Sequence, residues 1–545
     1  MIIFIYPPLS FKKLNNTNAL PENIIKGVFH IHSNYSDGKG DLNEITKAAK
    51  YNGLDFIILT DHGEPNLKSA DSTSFMNDVL IVGGSEFSLD SGHIASAGFK
   101  VEKYKIPFEP MEAIGEVNKN GGFTFIAHPF DNKIPWTDWD IKDFTGIEIL
   151  SSYSSARRRG FLNLLVFPLR YILNREYSLL NSLEDYPEKN LRAWDTLNRK
   201  GKYMGIYALD AHAKIPITKK ISLNFPSYKA IFGTLNIYVK INAPIGNNPI
   251  RSAREIISQI KDGKYFNVIE GIAPANGFDI KFSSINGKVY ESGDNIPSKS
   301  GSFHINLPFN FPVNVKIIRN GEEFFRKRKI ISGKLEIGIT DQGVYRCEIS
   351  VGKGAFKNLL WIMTNPFFIG INKQTETSQT VSETFDLLLD KKTFVVEKNN
   401  GSSGIIKHDY SDKSSALTKL NYILKGSPKE KDFWVSLSSR KNRDLARYSG
   451  IIFESKSSEP MRYWLEIRTE GDNSELWFRH SFIAYPEWSK IKIPFKKMHL
   501  ISKKSSNNKM NLSKTRSIFI SINNSVVNYK EIKGSIEIRN FSVYK

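Results

Sequence analysis

Apolar runs alternate with segments of helical spacing between residue 27 and about residue 270. The apolar runs, which are typical of buried strands, are GVFHIHS, LDFIILTDH, VLIVGGSEFSL, GHIASAGF, GFTFIAHP, TGIEILSS, MGIYALDAH and TLNIYVKI. The segment DLNEITKAAKYNG predicts a helix with Asp41 as its N-cap and Gly53 at its end, and a second helix is predicted near PMEAIGEVNKNGG. Because the strands are continuously apolar and the helices amphipathic, the pattern indicates a parallel sheet covered by helices, and an α/β barrel fits it best.

The helical spacing ends near residue 274, and alternating strands follow. Residues 274–372 contain short strands separated by turn signals such as NG, DQG and GKG, which predict an immunoglobulin-like β-sandwich. Residues 372–384 are polar and aperiodic, as in a linker. We therefore predict a multidomain α/β plus all-β chain: a barrel over 1–272, a sandwich over 273–371, a linker over 372–384 and a jelly-roll β-sandwich over 385–545.

Composition narrows the chemistry. The chain has 545 residues, of which 40% are hydrophobic and 24% charged, as in a globular protein of about three or four domains. Its single cysteine, Cys347, excludes an intrachain disulfide framework and a cysteine-rich zinc module. A metal site would therefore have to use His, Asp and Glu.

Positive charge is concentrated in the second half of the chain. Residues 1–275 hold 32 Lys and Arg against 29 Asp and Glu, a net +3, and residues 276–545 hold the other 44 against 27, a net +17. This excess of positive charge would favour binding to an anionic polymer. The alternative explanation is a lysine-rich composition with solvated strand faces. The chain has no recognisable nucleic-acid-binding motif, so we do not expect nucleic acid as a partner.

Histidines are gathered in the predicted barrel. Six of the ten lie within residues 1–275, and His32, His62, His128 and His212 stand where an apolar run gives way to polar residues. Glu86 and Glu148 occupy similar strand ends, and in α/β barrels that end carries the active site. On a strand, residues i and i+2 share a face, so His30 and His32 should lie side by side. Two such histidines alone are more often solvated or hydrogen-bonded, but histidines placed only for packing would be scattered.

Seven ordered motifs identify a resemblance. HIHSNYSDG, LTDH, GSEFS, GHIASAGF, AHPF, GIEIL and LDAHA resemble, in order and spacing, the motifs of the PHP (polymerase and histidinol phosphatase) superfamily, and in particular its carbaryl-hydrolase-like branch. The resemblance covers about residues 25–270. It implies a distorted (β/α)7 barrel that binds two or three divalent metal ions at its C-terminal mouth. The sandwich that follows also resembles the domain found after the barrel in that branch.

The resemblance also implies a ligand set. His30, His32, Glu86 and Asp210 correspond to the ligands of one metal and would act in catalysis through a metal-bound hydroxide, with Glu86 bridging. The remaining ligands of the second and third metals would be Asp37, His62, His93, His128 and His212. Asp37 stands where some relatives have histidine, which puts the third metal in question. Imidazole and carboxylate ligands without thiolate suit Zn, Mn or Fe.

Such a centre implies hydrolysis. Two metal ions sharing a hydroxide provide a nucleophile at neutral pH and stabilise an in-line displacement at phosphorus. We therefore predict a phosphoesterase acting on a small-molecule or glycan phosphomonoester or phosphodiester. The same centre would also suit a carboxylester or carbamate, and a non-catalytic protein that binds anionic glycans through its basic β domains is a further alternative.

Several residues near the predicted mouth have two interpretations. Asp61, beside His62, would take part in catalysis by orienting a ligand or would cap a turn, and Glu148 is a ligand-orienting residue or a buried paired acid. Arg157, Arg158 and Arg159 follow a strand end and are candidate phosphate contacts or part of a solvated face. Residues 161–174 are apolar but too short to span a bilayer, so we expect a covering helix, with interfacial membrane contact as the alternative.

The ends of the chain carry weaker signals. The segment MIIFIYPPLSFKK resembles neither a signal peptide nor a membrane span, so we expect a cytoplasmic protein, or an exported one if the true start lies upstream. The C-terminal region weakly resembles the galactose-binding-like jelly rolls of carbohydrate-binding modules and of complex I intermediate-associated proteins. Its aromatic residues are candidates for stacking on sugars or for the core: Trp434, Tyr463, Trp464, Trp477, Phe478, Trp488 and Phe495.

Overall fold

The computed structural model divides the described chain into two compact units, one within residues 11–99 and 110–371 and the other within residues 385–545. It describes residues 11–545 except 64, 90, 100–109, 159–160, 185, 217–221, 224, 353–355, 357–358, 372–384, 388–393, 410–416, 427–432, 472–473, 503–508 and 525–530. The predicted linker lies outside the described residues. The predicted domain boundaries remain predictions.

Helices of the described chain lie in the first unit, apart from two short 3₁₀ turns at Phe495–Lys497 and Leu512–Lys514. They are α1 (Leu42–Tyr51), α2 (Leu67–Ala70), α3 (Pro110–Lys119), α4 (Ser152–Arg158), α5 (Phe161–Leu173), α6 (Arg175–Ser182), α7 (Glu188–Asn198), α8 (Tyr228–Ile231) and α9 (Pro249–Asp262). The predicted cap of α1 is confirmed: Asp41 accepts a hydrogen bond from the Glu44 N–H, and Gly53 just beyond the helix has a φ of +64°. None of these helices is both long and apolar enough to cross a membrane.

The barrel strands form two sheets. The strands are β1 (Ile24–Ile31), β2 (Phe56–Leu59), β3 (His62–Gly63), β4 (Ser74–Met76), β5 (Val79–Val82), β6 (Gly84–Leu89), β7 (Gly92–Ala97), β8 (Phe123–Ile126), β9 (Gly146–Ser151), β10 (Met204–Ala208), β11 (Ile215–Pro216), β12 (Ser222–Leu223), β13 (Asn236–Lys240) and β14 (Tyr265–Val268). One sheet contains β14-β13-β1-β2-β5-β4 and the other β10-β9-β8-β7-β6-β3. Residues after β10 connect the two sheets, because the Leu209 and Ala211 N–H groups donate to the Phe29 and His30 carbonyls.

The α/β architecture is confirmed, but the expectation of a wholly parallel sheet is wrong. Strands β1, β2 and β5 are parallel, as are β8, β9 and β10, whereas β7 is antiparallel to both of its neighbours. Only two residues join β6 to β7, and a parallel crossover needs about a dozen. Strand β13 is also antiparallel to β1. The core between sheets and helices is built from apolar side chains such as Phe29, Ile58 and Ile256.

A β-sandwich completes the first unit. Its strands are β15 (Asp279–Ser284), β16 (Val289–Tyr290), β17 (Asn295–Ile296), β18 (Gly301–Leu307), β19 (Val313–Arg319), β20 (Glu322–Ile330), β21 (Gly333–Ile339), β22 (Gly343–Val351), β23 (Ile362–Thr364) and β24 (Phe367–Ile369). One of its sheets continues into the barrel, because β23 pairs with both β22 and β14. Barrel and sandwich therefore share an uninterrupted hydrogen-bonded sheet.

The second unit consists of two antiparallel sheets around one core, as predicted for a jelly roll. Its strands are β25 (Phe385–Leu387), β26 (Val395–Lys398), β27 (Ser402–Asp409), β28 (Leu417–Leu424), β29 (Trp434–Ser439), β30 (Gly450–Ser457), β31 (Met461–Glu470), β32 (Glu475–Ala484), β33 (Ser489–Pro494), β34 (His499–Leu500), β35 (Thr515–Asn523) and β36 (Ile532–Tyr544). The sheets are β27-β28-β36-β30-β33, with β25 on β36, and β26-β29-β35-β31-β32-β34.

Candidate metal centre

The predicted ligands converge at one end of the barrel. His30 lies in β1, and His32 follows directly after it. Asp210 and His212, which come after β10, lie beside these histidines because Ala211 is paired with Ile31. Register brings His62 opposite Glu86 on the paired strands β3 and β6. Six strands and the residues that follow them thus bring together the nine predicted ligands: His30, His32, Asp37, His62, Glu86, His93, His128, Asp210 and His212.

A β-bulge shapes the pair of histidines on β1. The register between β1 and β2 shifts at His30, which has a φ of +68°, a left-handed value that is uncommon outside glycine. The two histidines nevertheless face each other, with 3.1 Å between their Nε2 atoms. His128 and Asp210 also have positive φ values, of 31° and 52°. Backbone strain of this kind is concentrated at functional sites.

The first donor set consists of His30 Nε2, His32 Nε2, Glu86 Oε2 and Asp210 Oδ1. His30 Nε2 lies 3.1 Å from His32 Nε2, 3.2 Å from Glu86 Oε2 and 3.6 Å from Asp210 Oδ1. His32 Nε2 lies 3.3 Å from both Glu86 Oε2 and Asp210 Oδ1. A tetrahedral ion with ligand bonds of about 2.0–2.1 Å would hold its ligands about 3.3 Å apart. The ligand atoms of His30, His32 and Asp210 therefore lie close enough together to hold one divalent cation, and Glu86 Oε2 lies beside both histidines.

Glu86 links the first donor set to a second. Its other oxygen, Oε1, lies 2.8 Å from His93 Nδ1 and 3.0 Å from His128 Nε2. The second donor set consists of His62, Glu86 and His93, whose ligand atoms lie within 4.8 Å of one another, and His62 Nδ1 lies 3.2 Å from Glu86 Oε2. Because the Glu86 carboxylate faces imidazoles on both sides, it is suited to bridge two ions.

The third donor set surrounds Asp37, which is half-exposed. Asp37 Oδ1 lies 3.1 Å from His212 Nε2, 3.8 Å from His62 Nε2 and 3.7 Å from His32 Nδ1. Its other oxygen, Oδ2, lies 3.0 Å from the Lys214 ammonium. The ligand atoms of His32, Asp37, His62 and His212 lie within 4.8 Å of one another, and this set already contains a positively charged ammonium group.

Glu148 orients His30. A carboxylate only accepts, so the Nδ1–H of His30 donates to Glu148 Oε1 at 2.5 Å, which leaves Nε2 as the inward-facing lone pair. The second carboxylate oxygen accepts from the backbone N–H of His128 at 2.7 Å. The open question about Glu148 is thereby answered: it is a buried acid that fixes one predicted ligand and the loop of another.

Asp61 faces away from the donor sets. Its carboxylate accepts hydrogen bonds from the Ser33 N–H, the Ser33 hydroxyl and the Ser36 hydroxyl, at 2.7, 2.8 and 2.6 Å. It therefore holds the turn that leads from His32 to Asp37. Of its two interpretations, orientation of a ligand and capping of a turn, these contacts favour the cap of a turn.

Charges in the centre are strongly coupled. Burial opposes charge on His32 and His128, but contacts with Asp210 and Glu86 raise the pKa of His32 to about 9, and contact with Glu86 raises the pKa of His128 to about 9. Burial likewise disfavours ionised Glu86, yet the surrounding imidazoles hold its pKa well below the usual value. Burial lowers the pKa of His62 to about 4. The acids stay ionised and attract positive charge.

The residues present fit divalent cations. The single N–H of a neutral His30 is committed to Glu148, so its Nε2 faces only the acceptor-type atoms Glu86 Oε2, Asp210 Oδ1 and His32 Nε2. Among the described residues, the buried Nδ1 atoms of His32, His62 and His128 have no hydrogen-bond partner. Divalent cations would replace the protons that the raised pKa values of His32 and His128 otherwise retain, and would be held by the lone pairs of the neutral imidazoles and by the ionised acids.

Two supporting residues escaped the sequence analysis. The hydroxyl of buried Tyr228 donates to the His32 carbonyl at 2.7 Å and accepts from the Gly40 N–H at 3.2 Å, which fixes the loop after β1. Tyr228 is distant in sequence and lies in no recognised motif. Lys214 directly follows the LDAHA motif, and this position was the only feature of the sequence that could have indicated a role for it.

The arginine triplet remains a prediction. Arg157 and Arg158 belong to α4, which begins one residue after β9, and Arg159 lies outside the described residues. The helix predicted at 161–174 is confirmed as α5, with Pro168 inside it.

Comparisons with known proteins agree with this architecture. Residues 29–165 match the PHP domain family model, and residues 433–539 match the model for complex I intermediate-associated protein 30 (CIA30). The PHP match supports a metal-dependent hydrolase. Comparison with curated protein sequences returns no match.

Several solved structures are similar to parts of the chain. A two-domain protein from Bacteroides vulgatus, described as containing a predicted PHP-like metal-dependent phosphoesterase, is 15% identical and matches 65% of this chain and 100% of its own, with a TM-score of 0.32. A family 11 carbohydrate-binding module from Clostridium thermocellum, solved with a mixed-linked tetrasaccharide, is 16% identical over 30% of this chain and 94% of its own, with a TM-score of 0.24. A family 30 module from the same organism is 12% identical over 28% and 90%, with a TM-score of 0.22.

Proposed function

We propose that the barrel belongs to the carbaryl-hydrolase-like branch of PHP proteins and is a metal-dependent phosphoesterase that hydrolyses a phosphomonoester or phosphodiester. The observation that carries the proposal is the pair of donor sets joined through Glu86, whose oxygens lie 3.2 Å from His30 Nε2 and 2.8 Å from His93 Nδ1. Zn, Mn or Fe ions bound at these sets would supply a nucleophilic water at neutral pH and neutralise charge on the phosphoryl oxygens.

The chain's own residues would divide the remaining work. Glu148 keeps the Nε2 lone pair of His30 directed inward, and Asp61 and Tyr228 hold the loop between His32 and Asp37. The burial of Glu86 and Asp210 excludes bulk water from the donor sets, which strengthens their attraction for cations. Arg157, Arg158 and Arg159 are proposed phosphate contacts.

The test combines metal analysis with a substrate panel. Purified wild type and His30→Ala would be analysed for bound metal and assayed on phosphomonoesters, phosphodiesters, carboxylesters and carbamates. We expect phosphoester hydrolysis by the wild type, its loss after chelation and its loss in His30→Ala. Hydrolysis that survives both treatments would reject the proposal, and turnover confined to carboxylesters or carbamates would establish the alternative chemistry.

A second candidate function, carbohydrate binding by the C-terminal unit, has its own support. A cleft of about 450 Å³ on the β27–β28–β36 sheet is lined by Ser403, Ile405, Asn421, Tyr422, Ile423, Ser458, Lys533, Gly534 and Ser535. Hydroxyl, amide and ammonium groups beside exposed isoleucines suit an anionic sugar, and the volume suits a small ligand.

The cleft is a better candidate than the aromatic residues. Tyr463, Phe478 and Phe495 belong to the core of the unit, and Trp464 is largely buried. Trp477 is exposed, but the Arg468 guanidinium lies 3.9 Å from its ring centroid and covers one face. A glycan array probed with the full chain, Asn421→Ala and Trp477→Ala would test this. Retention that only Asn421→Ala abolishes supports the cleft, and no retention on any glycan rejects it.

A further inference from the structure

Lys214 contacts the one carboxylate of the third donor set. Its ammonium lies 3.0 Å from Asp37 Oδ2 and also donates to the Asp37 backbone carbonyl. The side chain is only 20% exposed. Lys214 is thus held against Asp37 by two oxygens of the same residue.

The carboxylates of the centre differ in this respect. Among the described residues, the ion-pair partners of Glu86 and Asp210 are all histidines, and Asp37 alone is also paired with a lysine. Spacing alone does not exclude an ion at Asp37, because the ligand atoms of His32, Asp37, His62 and His212 lie within 4.8 Å of one another. The third donor set therefore differs from the others in that its carboxylate is already paired with an ammonium group.

We propose that Lys214 supplies the positive charge at the third donor set, so that the centre holds two divalent ions rather than three. The inference rests on the proposed function, because it concerns the number of ions in that same centre. A divalent ion on Oδ1 and an ammonium on Oδ2 would share one carboxylate and repel each other strongly at this distance. Two divalent ions and Lys214 bring five positive charges to the four acids Glu86, Asp210, Asp37 and Glu148, whereas a third ion would raise the total to seven.

Lys39 provides a matched control. It is an exposed lysine two residues after Asp37, and its backbone N–H, which a side-chain substitution does not remove, donates to the His212 carbonyl at 3.0 Å. Lys39→Met therefore removes one lysine charge from the loop that carries Asp37 and leaves the ion pair of the Asp37 carboxylate in place. Lys214→Arg keeps the charge at position 214.

The experiment counts ions directly. Four full-length proteins would be compared: the wild type, Lys214→Met, Lys214→Arg and Lys39→Met. Each would be treated with chelator to remove bound metal and then equilibrated with Mn²⁺. Elemental mass spectrometry would measure the number of Mn²⁺ ions bound per chain. We expect two ions for wild type, Lys214→Arg and Lys39→Met, and three for Lys214→Met, a 1.5-fold rise. Lys214→Gln serves as the second neutral variant if circular dichroism shows that Lys214→Met is misfolded.

The outcomes separate this inference from the function on which it rests. Three ions in the wild type, or two in both neutral variants at position 214, would overturn the role of Lys214 and leave the metal-dependent hydrolase intact. Fewer than two ions in the wild type would overturn the metal-dependent function itself.

Discussion

The second unit and the candidate metal centre of the barrel treat charged side chains in different ways. In the second unit, acids pair with guanidinium groups: Glu397 with Arg440 at 2.7 Å, and Glu466 with Arg468 at 2.8 Å. In the metal centre, buried acids and imidazoles face one another, and among the described residues the ammonium of Lys214 pairs with Asp37. Acids paired with guanidinium groups need no further cation, whereas buried acids that face imidazoles, which are themselves metal ligands, are suited to hold one.

Substitution of Glu86, the carboxylate shared by the first and second donor sets, is expected to have the largest effect on the metal centre. We expect Glu86→Gln to weaken metal binding by more than about 100-fold at both the first and the second donor set, because changes one shell further out already cost 10–100-fold. Hydrolysis should fall below detection. Mn²⁺ binding followed by calorimetry measures the loss, and two ions bound with unchanged affinity would contradict the bridging role.

A buried pair inside the first unit provides the next test. Arg346 is buried between Asp195 and Glu348, 2.9 Å from the latter, with its guanidinium 5.3 Å from the Trp194 ring centroid. Arg346→Met removes the cation between partly buried Asp195 and buried Glu348. Among the described residues, Glu348 then keeps only the Tyr186 hydroxyl, so the substitution should lower the free energy of unfolding by about 3–5 kcal/mol. Thermal unfolding of the full chain measures the change.

The matched control for Arg346→Met is Arg319→Met on the same sheet, whose partner Asp341 is half-exposed. We expect the control to cost less than about 1 kcal/mol. Equal effects of the two substitutions would show that burial of Arg346 does not determine its contribution.

Glu148 tests whether orientation matters as well as ligation. Glu148→Gln has one acceptor for two donors, the His30 Nδ1–H and the His128 N–H, so one of them loses its partner. We expect metal affinity to fall about 10–100-fold. Glu188→Gln, an exposed acid on α7, should leave affinity unchanged. A Glu148→Gln protein that binds metal as tightly as the wild type would rule out the positioning role.

The smallest effect is expected in the second unit. Glu397→Gln removes one member of an exposed pair with Arg440, whose side chain is 58% exposed. Such pairs contribute about 0–1 kcal/mol, so thermal unfolding should shift little and metal content should stay the same. A loss of bound metal in this variant would show that the second unit takes part in the centre.

Strand ends were the most informative part of the sequence. The change from apolar to polar residues located His32, His62 and His212, because barrel strands present their last residues at one mouth. The antiparallel course of β7 was missed, although only Asp90 and Ser91 separate the two apolar runs. Periodicity describes each strand alone and does not give its direction.

Other features depend on contacts that no local pattern carries. Tyr228 reaches the His32 carbonyl from 196 positions away in the sequence. Alternation predicts that the neighbours Tyr463 and Trp464 point to opposite faces, but only the packed sheets decide that Tyr463 enters the core. The bulge at His30 is likewise a property of pairing with β2.

Pairing between β14 and β23 has a practical consequence. Strand β23 of the sandwich pairs antiparallel with β14 of the barrel, with Phe266, Asn267 and Val268 opposite Thr364, Met363 and Ile362. The sandwich therefore covers an edge of the barrel sheet. A polypeptide truncated at the predicted boundary of residue 272 would present that edge to solvent, where it can recruit strands from other molecules. Anyone producing the barrel for crystallisation or assay should therefore retain the chain through β24, because insolubility of the shorter fragment would reflect an uncovered edge rather than a defective catalyst.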